Sequence, residues 1–205
     1  MNKKIIIIGA GGHAKVALAA LLECQATVMG LTENDPRKHG MEILGCRVIG
    51  NDAVITNHDP QEVLLVNGVG STKDNTPRKK IFKTFKALGF TFINVIHPAA
   101  FCSRGVILSE GVQIHAGAVL QPGVTIGENT IINTGARIDH DCLIGAHAHI
   151  APGAVLCGDV RVAEGAFIGS GACVIQGVKI GRGSIVGAGC TALKDVGPGE
   201  TFVGR

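Results

Sequence analysis

The 205-residue chain has no tryptophan and no tyrosine, and seven phenylalanines are its whole aromatic content of 3%. An ordinary packed globule seldom does without aromatic anchors to that degree, so a core of small, regular units is expected instead. The same shortage removes the stacking platforms that bind bases, and a net charge of +3 is too mild to make up for them. Nucleic acid is therefore not expected as a partner. Cysteine pairing is also missing. The seven cysteines are scattered, odd in number and without a CxxC pair, which supports neither a disulfide framework nor a zinc knuckle. Long apolar runs are absent at the start, where Met1-Asn2-Lys3-Lys4 precedes only a short stretch ending at Gly9. That is too short for a signal peptide or a membrane span, and a reducing cytoplasm with no membrane association is expected.

Glycine and aliphatic residues are plentiful, with 30 glycines and 46% hydrophobic residues, and they are ordered. From Leu108 an aliphatic residue returns at every sixth position: Leu108, Ile114, Leu120, Ile126, Ile132, Ile138, Ile144, Ile150, Leu156, Val162, Ile168, Val174, Ile180 and Val186. Small or β-branched residues such as Val112, Ala118, Val124, Ala136, Cys142, Ala148 and Ala154 stand two places before. Three places after lies a third slot, mostly glycine, whose exceptions are Asn129, Asp141, His147 and Asp159. Asn, Asp and His are the residues other than glycine that best tolerate positive φ, so this slot is a left-handed corner. Short strands joined by such corners, three to a coil of about 18 residues, stack at roughly the 4.8 Å strand spacing. The interior of that prism is too narrow for an indole.

The first part of the chain follows a different pattern. Ile5 to Ile8 read as a strand, Gly9 to His13 as a turn, Ala14 to Cys24 as a helix, and Thr27 to Leu31 and Val63 to Val66 as further strands. Pro77 to Leu88 reads as a basic helix stopped by Gly89, and Thr91 to Val95 as a fourth strand. Two units follow: a small α/β domain over 1–96, half of a doubly wound (Rossmann-like) sheet, and the repeat domain over 97–205.

Three features carry chemistry. Gly9-Ala10-Gly11-Gly12-His13-Ala14 satisfies G-x-G-x-x-A between a strand and a helix, where backbone N–H groups approach a diphosphate at the helix N-terminus. With Glu33 placed as an acidic ribose partner, the loop fits NAD, a smaller nucleotide diphosphate, or a tight turn without ligand. His140 occupies an outward slot otherwise held by Glu110, Ala116, Pro122, Glu128, Thr134, Ala146 and Gly158, so the fold does not demand histidine there. Flanked by Asp139 and Asp141, it has a carboxylate to orient the ring as a general base, although Asp141 is also a corner residue. His149 also points outward, nine residues and half a coil from His140, so the two can meet only across a seam between packed prisms. His97 and His115 are 18 apart and stack as a polar surface row, with Asn133 one coil further. His140, His147 and His149 occupy three different slot types, so no metal site is expected.

The whole chain resembles the bacterial sugar acetyltransferases that include the sialic acid O-acetyltransferases and the nucleotide-amino-sugar N-acetyltransferases. The similar stretches are Ile7 to Ala14, Ile96-His97-Pro98-Ala99-Ala100, Ile132-Asn133-Thr134-Gly135-Ala136, Asp139-His140-Asp141-Cys142 and His149-Ile150-Ala151-Pro152-Gly153-Ala154. The resemblance implies a left-handed parallel β-helix and a homotrimer with acetyl-CoA lying between neighbouring prisms. It implies His140 as general base held by Asp141, with His149 and the Gly158 N–H beside the thioester. The acceptor, a nucleotide sugar, falls to Gly9, Gly11, Gly12, His13, Thr32, Glu33, Gly70 and Asn133. Two departures bear on that acceptor. Thr32-Glu33 stands where relatives tend to carry Asp-Asp, and the loop from Gly70 to Arg78 is longer than a G-D-N-x-x-x-R type.

The expected reaction is acetyl-CoA-dependent N-acetylation of a nucleotide-linked (UDP- or GDP-) 4-amino-sugar by direct transfer. O-acetylation of a sialic-type sugar is the alternative within the fold. An NAD-dependent oxidoreductase and a non-enzymatic assembly module stand further off.

Overall fold

The computed structural model describes residues 3–71 and 74–204; Met1, Asn2, two residues of the Gly70–Arg78 loop (Thr72 and Lys73) and Arg205 lie outside it. The N-terminal unit begins with strand β1 (Lys4–Ile8), whose four isoleucines are buried on both faces of the sheet. A strand buried on both sides reads as an unbroken apolar run and takes a central place. Helix α1 (Gly12–Glu23) starts inside the glycine loop, two residues earlier than expected, and buries Ala14, Ala17, Leu18, Ala20 and Leu21. Strands β2 (Val28–Thr32), β3 (Glu42–Ile43), β4 (Cys46–Gly50), β5 (Val63–Asn67) and β6 (Thr91–Phe92) complete a sheet of order β3-β4-β2-β1-β5-β6. Its pairings are parallel except for the β3–β4 hairpin. Sequence reading missed that hairpin. Leu44 and Gly45 turn it with φ of 49° and 76°, a two-residue turn of left-handed residues that the leucine disguises.

Helix α2 (Thr76–Ala87) buries Arg78, Phe82 and Phe85 along one stripe. With Phe90 and Phe92 these phenylalanines form a compact aromatic cluster under the sheet. The strand expected over 91–95 divides. Thr91–Phe92 pairs with β5, whereas Val95–Ile96 pairs with Gln113–Ile114 and is the first rung of the repeat region.

From there every strand is two residues long, and strands 18 apart (16 at the last rung, Thr201–Phe202) pair in parallel on three faces of seven, six and five strands. This is a parallel β-helix. The six-residue series of aliphatics and the small residues before it form one continuous core with no aromatic ring among its fully buried members. The corners are left-handed in Asn129 (φ 54°), Asp141 (60°), His147 (57°) and Asp159 (55°) as well as in the glycines between them. Among the described residues, no helix is long and apolar enough to cross a membrane.

The two units dock through α2 and the loop after β5. Asn75 Nδ2 donates to the carbonyls of His147 and Gly165, Lys86 bridges both oxygens of Glu110 at 2.8 Å, and Lys79 pairs with Glu164. This docking overturns one sequence expectation. His115 is not part of a surface row, because the His13 ring of α1 meets it edge-on and it is fully buried.

Candidate active site

The Asp139-His140-Asp141 segment folds around its own corner. Asp139 accepts the backbone N–H of His140 at 2.8 Å, and Asp141 Oδ2 lies 2.9 Å from His140 Nδ1. Asp141 is therefore both a left-handed corner and the orienting acid. Its carboxylate fills the space above the corner glycine of the preceding coil, Gly123, where a Cβ would collide with it. The imidazole lies over Gly158 in the next coil, and a Cβ there would come 2.5 Å from Nε2. So Gly158 clears the room in which the ring sits, and its N–H has no backbone acceptor among the described residues. With Nδ1–H donated to Asp141, Nε2 carries the free lone pair. The hydrogen bond to Asp141 raises the His140 pKa above 6.5, with Asp139 and Asp159 adding to it. The side chain remains 53% exposed.

His149 lies in a different environment. It projects from the prism but is covered by the loop after β5: its Nδ1 donates to the Ser71 carbonyl at 2.7 Å and lies 3.0 Å from Ser71 Oγ. That bond fixes the tautomer, and Nε2 accepts from Asn133 Nδ2 at 3.1 Å. Burial pushes the His149 pKa down to about 4, so the ring is neutral. His149 and Asn133 line a cleft of about 430 Å³ between the units, together with Gly12, His13, Gly70 and Ser71. His140 lies outside it.

The glycine loop lines a second cleft of about 360 Å³, which holds Gly9, Gly11, Gly12, His13, Glu33 and Gly70. Gly9 takes φ of +94°, and the cleft opens where β1 and β5, adjacent in the sheet, send the chain to opposite faces. Ligands bind at that switch point in open α/β sheets. The two clefts are neighbours, with Gly12, His13 and Gly70 in the lining of both. A larger groove, about 740 Å³, runs along the third face of the prism past Leu143, Val162 and Ile180 and shares no residue with either cleft.

One expected contact lies elsewhere, and two that do line the cleft already have partners. Thr32 is fully buried and does not line the cleft; its hydroxyl donates to Asp52 Oδ1 at 2.6 Å, and Asp52 lines the cleft with Asn34. Sequence reading missed both, since neither belongs to a motif. Glu33 lines the cleft, but Lys38 lies 3.0 Å from its carboxylate. Burial would raise its pKa, yet Lys38 and the Asp35 N–H hold it below the usual range. His13 turns its ring toward the prism, where Nε2 donates to Gln113 Oε1 at 2.7 Å and the ring meets His115 edge-on. Gln113 is orientated for this by donating its amide to the Asn67 carbonyl at 2.8 Å. Among the described residues, no group of three or more His, Cys, Asp or Glu converges on a metal position.

Residues 4–85 match the PglD N-terminal domain, and residues 105–140 and 141–176 each match the bacterial transferase hexapeptide model of six repeats. The acetyltransferase domain of PglB from Neisseria gonorrhoeae FA1090 is 36% identical, with a TM-score of 0.89 over 98% of this chain and 96% of that one. The chain belongs to the hexapeptide-repeat sugar acetyltransferases. PerB from Caulobacter crescentus, solved in complex with CoA and GDP-perosamine, is 40% identical with a TM-score of 0.88, over 97% of this chain and 92% of that one. A histidine-to-alanine variant of GDP-perosamine N-acetyltransferase from the same organism, also with CoA and GDP-perosamine, is 38% identical with a TM-score of 0.89, over 98% and 93%. The PglB domain has also been solved with acetyl coenzyme A, at 35% identity over 98% of this chain and 96% of that one, with a TM-score of 0.89. No curated protein matches the sequence. For this acetyltransferase, the oxidoreductase and pure assembly readings left open by the glycine loop and the prism are set aside.

Proposed function

We propose that this acetyltransferase moves an acetyl group from acetyl-CoA directly to the amine of a nucleotide-linked amino-sugar. The observation that carries the reading is the His140–Asp141 pair, an exposed imidazole held through Nδ1 at 2.9 Å with Nε2 left free over Gly158. The α/β unit, 1–96, holds the nucleotide in the glycine-loop cleft. The sugar then extends past Gly12, His13 and Gly70 into the cleft of Asn133 and His149. The prism, 97–205, holds the acetyl donor. PerB and the PglB domain, with CoA and acetyl coenzyme A respectively, support that donor.

His140 and His149 point from different faces, so the reacting centre is completed by a neighbouring protomer in a homotrimer. His140 of one copy faces the cleft of the next. The amine attacks the thioester carbonyl carbon, and neutral His140 takes the amine proton at Nε2. Asp141 steadies the resulting imidazolium, and the Gly158 N–H meets the oxyanion. As the C–S bond breaks, the electron pair leaves on sulfur and the imidazolium proton passes to the thiolate. An amine needs less activation than a hydroxyl, so positioning supplies much of the rate. Seven unpaired cysteines suit the reducing cytoplasm.

The test is incubation with acetyl-CoA and a panel of UDP- and GDP-amino-sugars, following free CoA and the mass of the product. A hydroxylamine-resistant acetyl adduct is expected. An adduct cleaved by hydroxylamine would be an ester and would replace the amine with a hydroxyl acceptor, while CoA release with no nucleotide sugar would end the reading.

A further inference from the structure

Arg78, on α2, is only 2% exposed and is the bulkiest fully buried side chain of the protein. Its Nη1 donates to the carbonyls of Asn67 at 2.7 Å and Val69 at 2.8 Å, and its Nε to the Asn129 carbonyl of the prism at 3.2 Å. Among the described residues, Nη2 has no partner and no acid forms an ion pair with the guanidinium. Carbonyl dipoles alone leave a buried cation short of counter-charge, and proteins rarely tolerate that without a use for the field. The ionisable groups around it do not compensate. His13, His115 and His149 are each driven toward their neutral forms, by burial first and by the Arg78 charge in addition.

The position of the charge indicates its use. Val69, whose carbonyl Arg78 holds, lines the glycine-loop cleft with Gly68, Gly70 and Ile81, the last lying one turn along α2 from Arg78. The guanidinium therefore stands one residue behind the wall of that cleft. The two acids lining the cleft are already engaged, Glu33 by Lys38 and Asp52 by Thr32 and Asn34. The α1 N-terminus opens into the same space from the other side.

We propose that Arg78 is the buried counter-charge for the diphosphate of the acceptor, acting through its field across Val69 and Gly70 and not by contact. This rests on the nucleotide-linked acceptor proposed above. The segment that Arg78 holds continues to Ser71, whose carbonyl fixes the His149 tautomer. One cation thus serves acceptor charge and the order of the adjoining cleft together.

Calorimetric titration of UDP, GDP, uridine and guanosine into the full-length protein tests it, with R78K, R78Q and N129D alongside wild type. Asn129 gives its backbone carbonyl to Arg78 Nε, while its side chain accepts from Asn67 Nδ2 and lies 3.0 Å from His147 Nδ1, so Asn129→Asp adds a negative charge to a residue that already touches Arg78 and offsets the field without removing the arginine. R78Q and N129D should each lose at least about tenfold in diphosphate affinity, with less than about threefold change for the nucleoside. R78K, which keeps the charge and sacrifices the fork of hydrogen bonds, should stay within about threefold of wild type. Equal losses for diphosphate and nucleoside, or R78K as weak as R78Q, would overturn the proposal. If R78Q does not fold, N129D against R78K decides it. A wild-type protein that binds neither diphosphate would instead remove the acceptor reading, a result visible before any variant is made.

Discussion

The α/β unit and the prism solve the same packing problem in opposite ways. In the α/β unit each buried side chain has its own environment, and Phe82, Phe85, Phe90 and Phe92 pack as an irregular aromatic cluster. In the prism the environment repeats every coil, and its core is a column of aliphatic, alanine and cysteine side chains. Repetition frees the outward slots: a histidine at one of them costs the fold nothing, because stability is a sum over neighbouring coils. Irregularity does the reverse, since a glycine or arginine of the α/β unit is held by many unlike partners. An outward residue of the prism can therefore be changed with little effect on folding, whereas a change in the α/β unit also disturbs its structure.

The sharpest way to break this contrast is His140→Ala. It should lower kcat at least about 10²-fold, in line with general-base contributions, while the thermal midpoint and the acceptor KM stay near wild type. Turnover close to wild type would remove His140 from the mechanism, and a collapse in stability would deny the independence of the outward slots. Gly9→Ala tests the other half. Gly9 has φ of +94° and its added Cβ would lie 3.2 Å from Val69 Cγ2, so the loop must shift. Acceptor KM should rise about tenfold with kcat little changed, a loss of about 1.4 kcal/mol. A drop confined to kcat would mean that the loop does not hold the acceptor.

The third test concerns the seam between the units and is read as a slope against pH. His115, His147 and His149 are each pushed down to about 4, chiefly by burial, and His13 lies well below its usual value as well. In the unfolded chain these rings titrate near about 6.5. Below that pH the unfolded state takes up protons that the native state refuses. Stability is therefore full above about pH 6.5 and falls as the pH drops toward about 4, by up to about 1.4 kcal/mol per unit for each ring. Urea denaturation at several pH values checks the sign. His115→Leu should flatten the curve, and stability that rises on acidification would contradict the burial of these rings.

Much of this was legible in advance because it depends on local backbone rules. The corner slot was readable at Asn129, Asp141, His147 and Asp159 because positive φ selects those residue types. The strand–glycine–helix opening was readable because a run of isoleucines admits few other readings. What escaped notice depends on one unit lying against the other. His115 occupies an outward slot like any other, and it is buried where α1 docks with His13 against it. Arg78 reads as one more cation of a basic helix, and nothing along the chain marks it as interior. Asp52 and Ser71 belong to no motif, and they reach the clefts through the fold of the loops that carry them.

His140 and His149 are nine residues apart on a solenoid whose turn takes eighteen, so the angle between them is set by counting. No hinge or loop rearrangement can alter that bearing, because each intervening residue is clamped above and below by its neighbours. The shaft works like an indexed dial. Only insertions or deletions of whole turns keep the two imidazoles in phase, which restricts how this region can lengthen or shorten while keeping their relative bearing.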